Sequence, residues 1–133
     1  MSRPYSTRYF PPAPVLELSL ISDVSQLRTG PHVALIDTGT DVTAVPVRLL
    51  ARIAAPVSRQ AYVQAHWGNR LRVSIHSIDI EIEGIRLPGI EVIGDEHGQE
   101  VIVGRDVLNK LWLGLDGPQR RLEVAEKKPR RKR

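Results

Sequence analysis

The chain contains no cysteine. That excludes a disulfide framework and a thiolate zinc site, and it fits a reducing compartment. No apolar run approaches about 18 residues, so no helix is expected to span a membrane. The first residues, MSRPYSTRYFPPAP, are polar and proline-rich and lack the apolar segment of a secretory signal. Together these absences lead us to expect a cytoplasmic protein. His32, His66, His76 and His97 show no ligand spacing, so no metal and no cofactor are expected. No serine sits in a Gly-x-Ser-x-Gly elbow, and no glycine-rich phosphate loop is present.

What is present is a chain of 133 residues, enough for one domain with a modest core. Ten glycines and ten prolines imply many turns. The formal charge of +4 is unevenly placed. Lys127, Lys128, Arg130, Arg131, Lys132 and Arg133 form a basic end, and without them 13 basic residues face 15 acidic ones. The body is therefore not a basic nucleic-acid-binding domain. Only the tail could touch nucleic acid or an anionic membrane surface, and charge blocks of this kind are usually solvated.

Residues 1–14 hold four prolines without periodicity and read as a flexible arm. Residues 15–125 read as the domain, and 126–133 as a disordered basic tail. Val15–Ile21 alternates apolar and polar residues, the pattern of a strand. Ser22–Pro31 carries turn residues, and His32–Asp37 reads as a strand buried on both faces. Val42–Val45 is a short extended run. Pro46 then opens a helix whose buried face is Val47, Leu49, Leu50 and Ile53. Gln60–Ala65 and Leu71–Ile75 form a hairpin around His66-Trp67-Gly68-Asn69. Ile78–Ile82 alternates, with Asp79 and Glu81 outward. Ile85–Leu87 and Ile90–Ile93 are separated by Pro88-Gly89, and a polar loop fills Gly94–Glu100. Val101–Val103 is a short buried strand, Arg105–Trp112 one or two helical turns, and Leu113–Asp116 with Arg121–Val124 a last hairpin. Many short strands at close spacing with one or two short helices make an all-β, closed-barrel-like fold.

The chemistry-bearing stretch is Ala34–Pro46, ALIDTGTDVTAVP. An apolar run delivers one carboxylate, Asp37, into Thr38-Gly39-Thr40. Gly39 lets the backbone pass close behind it, and the threonines can hold the carboxylate. On composition alone this is either a polar turn or a catalytic carboxylate.

About 65 residues on stands VIVGRDVLNKL, with a hairpin in between. This order and spacing resemble the retropepsin-like aspartic proteases, the retroviral enzymes and their small single-domain bacterial relatives, and suggest a bacterial member. The resemblance covers roughly residues 15–125. It implies that Asp37 is catalytic, that Thr38 braces the loop against a partner subunit, and that Gly39 supports substrate. It implies that Asp41 and Arg105 form a structural ion pair beneath the cleft. Ala61–Val73, with Val63, His66, Trp67 and Gly68, falls where the family carries its flap. Two features depart from the retroviral pattern: Gly68 stands almost alone beside Trp67, and Thr40 replaces the usual alanine. Trp67 is either a lid residue or packed on the barrel.

Hydrolysis without metal or nucleophilic side chain needs an activated water, and two carboxylates sharing a proton can supply it. The chain carries one Asp-Thr-Gly, so the pair requires two chains and a two-fold axis. The expected partners are a second copy and a peptide or protein substrate. Val42, Ile102 and Val63 are expected to line the cleft. The alternatives are a dimeric β-barrel that binds peptides without cutting, or a dimerisation platform for the basic tail.

Overall fold

A computed structural model describes residues 1–64 and 68–130. Its core is a closed barrel. Strands β2 (Val15–Ile21), β3 (Arg28–Ile36), β8 (Val101–Val103), β4 (Ala44–Pro46), β7 (Ile85–Asp95) and β6 (Arg70–Ile82) are hydrogen-bonded in that order, and β6 returns to β2. Strand β5 (Arg59–Gln64) lies outside the closure, paired with the first half of β6. A small second sheet orders β1 (Ser2–Pro4), β10 (Arg121–Ala125) and β9 (Trp112–Asp116). The expectation of an all-β closed barrel with short helices is met.

The interior follows from strand alternation. Leu16, Leu18 and Leu20 of β2, Ile78, Ile80 and Ile82 of β6, and Val101 and Val103 of β8 all point inward and are buried. Helix α1 (Val47–Arg52) contributes Leu49 and Leu50, and Ile53 follows it. Helix α2 (Arg105–Leu108) contributes Val107 and Leu108, and β10 contributes Leu122 and Val124. Val47, expected on the buried face of α1, is exposed.

Several expectations are corrected. Residues 1–14 are not a loose arm: Ser2–Pro4 pairs with Arg121–Glu123, and Ser6 bridges Ala13. The strand toward Asp37 starts at Arg28 and runs through Gly30-Pro31, and it is not buried on both faces, since Val33 is exposed. Segments 71–75 and 78–82 are one thirteen-residue strand, because β6 changes partner from β5 to β2 without ending. Pro88-Gly89 sits inside β7 where the β6–β7 register shifts. There the Gly89 N–H donates to Asp79 Oδ1 at 3.0 Å and Arg86 pairs with Asp79 Oδ2 at 2.8 Å, so Asp79 is buried, not outward. A bulge absorbs residues that in an isolated sequence read as a turn.

One register positions everything that follows. Strands β3 and β8 are parallel neighbours, with Ile36 opposite Val103. The residues after them, Asp37 and Gly104, therefore emerge side by side at one end of the barrel.

Candidate active site

The Asp37 N–H donates to the Val103 carbonyl at 3.0 Å, which extends the β3–β8 ladder to the carboxylate-bearing residue. The chain then folds back: the Thr40 N–H donates to the Asp37 carbonyl at 3.2 Å. This tight loop aims two donors at the side chain. The Gly39 N–H reaches Oδ1 at 2.9 Å and the Thr40 hydroxyl reaches Oδ2 at 2.6 Å. Both favour the charged form, the Thr40 hydroxyl most and the Gly39 N–H next. The Arg105 guanidinium adds attraction, and together they outweigh the opposing effect of burial. Asp37 is held below the ordinary carboxylate range.

The GRD segment clamps the loop from the other side. The Arg105 N–H donates to the Thr40 carbonyl at 2.8 Å, and the Asp106 N–H to the Asp41 carbonyl at 3.3 Å. A Cβ on Gly104 would lie 2.8 Å from the Thr40 carbonyl oxygen and 3.0 Å from the Val42 carbonyl carbon, both backbone atoms. Only glycine permits that approach. The Arg105 side chain donates through Nη1 to the Thr38 carbonyl at 2.7 Å and through Nη2 to Asp41. Asp41 and Arg105 are thus in contact. Both are exposed, with Asp41 at 78% of its side-chain surface. The pair braces the loop and is not a buried salt bridge.

A second clamp was not legible beforehand. Thr43 is fully buried, and its hydroxyl donates to Asp106 Oδ1 at 2.7 Å while accepting the Gly104 N–H at 3.0 Å. The Thr43 N–H is within 3.1 Å of both Asp106 oxygens. The available signal was the lone hydroxyl in Val42–Val45: a polar group buried in an apolar run must find a partner.

The β5–β6 hairpin stands nearby. A cleft of about 410 Å³ runs between it and the barrel, with Val42, Ala61, Val63 and Ile75 among its apolar lining and Arg59, Glu91, Asp106 and Lys110 as charged groups. Val42 and Val63 share this cleft. Ile102 does not line it, because it lies on β8 opposite Leu35 and Ala44. Gly68 is exposed with φ +84°, a conformation that favours glycine. His66 and Trp67 lie outside the described residues. Thr38 is exposed, and among the described residues its hydroxyl makes no hydrogen bond within the chain. Asp37 is half-buried and does not line the cleft. Among the described residues no three His, Asp or Glu side chains converge as metal ligands.

No protein-family model matches the chain, and no curated protein matches it in sequence. Solved structures do. A retropepsin-like aspartic protease from Rickettsia conorii superposes with a TM-score of 0.60 at 10% identity, over 94% of this chain and 91% of that one. The EIAV protease, in complex with the inhibitor HBY-793, gives 0.53 at 18% identity, over 78% and 92%. The simian foamy virus (mac) protease gives 0.52 at 14% identity, over 72% and 92%. At these identities the likeness establishes the fold, which is that of the retropepsin-like proteases.

Proposed function

We propose that this chain is one half of an aspartic endopeptidase that works as a homodimer. The observation that carries the reading is the Asp37 carboxylate, presented at the barrel end by parallel strands and held by the Gly39 N–H and the Thr40 hydroxyl. Its proteolytic meaning rests on the fold shared with retropepsin-like proteases.

The chemistry needs a second chain. A lone carboxylate with a depressed pKa can take a proton from water but cannot also donate one to a carbonyl oxygen. Two Asp37 carboxylates facing across a two-fold axis cannot both ionise easily, so the pair keeps one proton. The ionised member then accepts a proton from the attacking water, and the neutral member donates to the scissile carbonyl. The exposed Thr38 hydroxyl is the group available to brace the opposite loop. The β5–β6 hairpin acts as the flap over a bound peptide, and the apolar lining, Ala61 and Val63 from that hairpin and Val42 from the barrel side, favours apolar substrate side chains.

The test is incubation of the purified chain with a mixed peptide library between about pH 4 and 7. Wild type cuts and Asp37→Asn does not. Absence of cleavage by a confirmed dimer would assign the fold to peptide binding instead.

A further inference from the structure

A cavity of about 620 Å³ lies between the N-terminal arm and the barrel, and Asp37 takes no part in it. One wall is the arm from Arg3 to Tyr9. The other is built by His32 of β3, Arg48 of α1 and the Gln99–Val101 segment. Three arginines are among the residues that line this space, Arg3, Arg8 and Arg48.

Their charges are only partly compensated. Glu100, the carboxylate in the lining, accepts the hydroxyl of Tyr9 and keeps its charge, so three arginines face one carboxylate there. Arg3 sits 3.4 Å from Glu17, yet its Nε is buried with no partner. Arg48 donates through Nη2 to the neutral Gln99 carbonyl at 2.8 Å. Among the described residues neither Arg8 nor Arg48 has a carboxylate within 4.0 Å. The His32 ring, 3.0 Å through Nε2 from the Thr29 hydroxyl, is held below its usual pKa by burial first, then by Arg52 outside the cavity and Arg48 in its lining. Positive charge on the arm thus faces positive charge on the barrel across a space of ordinary small-ligand size.

We propose that this cavity binds a small polyvalent oxyanion, phosphate-type or polycarboxylate, which joins Arg8 of the arm to Arg48 and His32 of the barrel. Guanidinium forks match both kinds of oxyanion geometrically. Binding neutralises the repulsion between the two walls. This site is independent of peptide hydrolysis.

The test follows the His32 ring resonances of the full chain by NMR while sodium pyrophosphate or citrate is titrated in, with chloride holding ionic strength constant. We expect saturable movement of His32 with at least one of the two, and the stronger binder identifies the oxyanion class. Arg8 and Arg48 are both exposed, so the double variant Arg8→Ala, Arg48→Ala folds, and it weakens apparent affinity at least about tenfold. Lys127→Ala with Lys128→Ala, in the tail, leaves the affinity unchanged. His32 unmoved by both anions, or a response that survives the double variant or vanishes with the tail variant, overturns the assignment.

Discussion

At the scale of single residues, Asp37 and Thr43 show how differently two polar groups can serve one loop. The Thr40 hydroxyl is the largest influence holding Asp37 below the ordinary carboxylate range. Thr40→Ala therefore raises the Asp37 pKa. An NMR titration of dilute protein reads this directly, and in the active dimer the acid limb of kcat/KM moves to higher pH. The sign for stability is fixed by the same shift. A carboxylate with a folded pKa below its unfolded value stabilises the fold above the unfolded pKa, and that contribution is lost as pH falls through the folded one. Thr43 works through burial instead. Thr43→Val leaves the Gly104 N–H without its acceptor and removes a donor from Asp106. We expect a loss of about 2–4 kcal/mol in urea unfolding. Asp41→Ala, which opens an exposed pair, costs no more than about 1 kcal/mol. The order of these two losses ranks the buried Thr43 clamp above the exposed brace of Asp41 and Arg105.

At the scale of elements, the limits of sequence reading are physical. Strands that bury one face, such as Val15–Ile21, were legible because alternation at period two is what a pleated strand imposes. Asp-Thr-Gly and Val-Gly-Arg could be linked through family resemblance, and the parallel register of Ile36 with Val103 explains why they belong together. What stayed hidden were the places where turn residues lie inside strands. Gly30-Pro31 in β3 and Pro88-Gly89 in β7 both coincide with register shifts. A bulge uses the residues that a turn uses, and only the partner strand distinguishes them. The pairing of β1 with β10 was invisible for a similar reason, since three residues carry no period. Gly30 provides the test of this picture. It has φ +131°, and an added Cβ would fall 2.9 Å from the Ser19 Cα and 3.0 Å from the Leu18 carbonyl oxygen. Gly30→Ala should cost at least about 2 kcal/mol. Gly117, at the tip of the β9–β10 hairpin, meets nothing within 4 Å, and there alanine should change thermal stability little.

At the scale of the whole molecule, the open question is how many chains make one active site. The barrel buries a continuous apolar core within one chain. The proposed chemistry demands a second chain, because each chain brings one Asp37. Mass action turns that into measurable behaviour. Well below the dimer dissociation constant, dimer concentration scales with the square of chain concentration, so tenfold dilution lowers specific activity about tenfold. Above that constant, specific activity is flat. Mixing sharpens the test. Asp37→Asn chains keep the fold but bring an amide to the pair, so a mixed dimer has one carboxylate and no shared proton. With free exchange at saturating concentration, a fourfold excess of Asp37→Asn chains should cut wild-type activity to about one fifth, as random pairing dictates. A monomeric enzyme would be indifferent to the added variant. Undiminished cleavage in that mixture, with subunit exchange verified, would mean that one Asp37 suffices and that the second carboxylate must be sought within the chain.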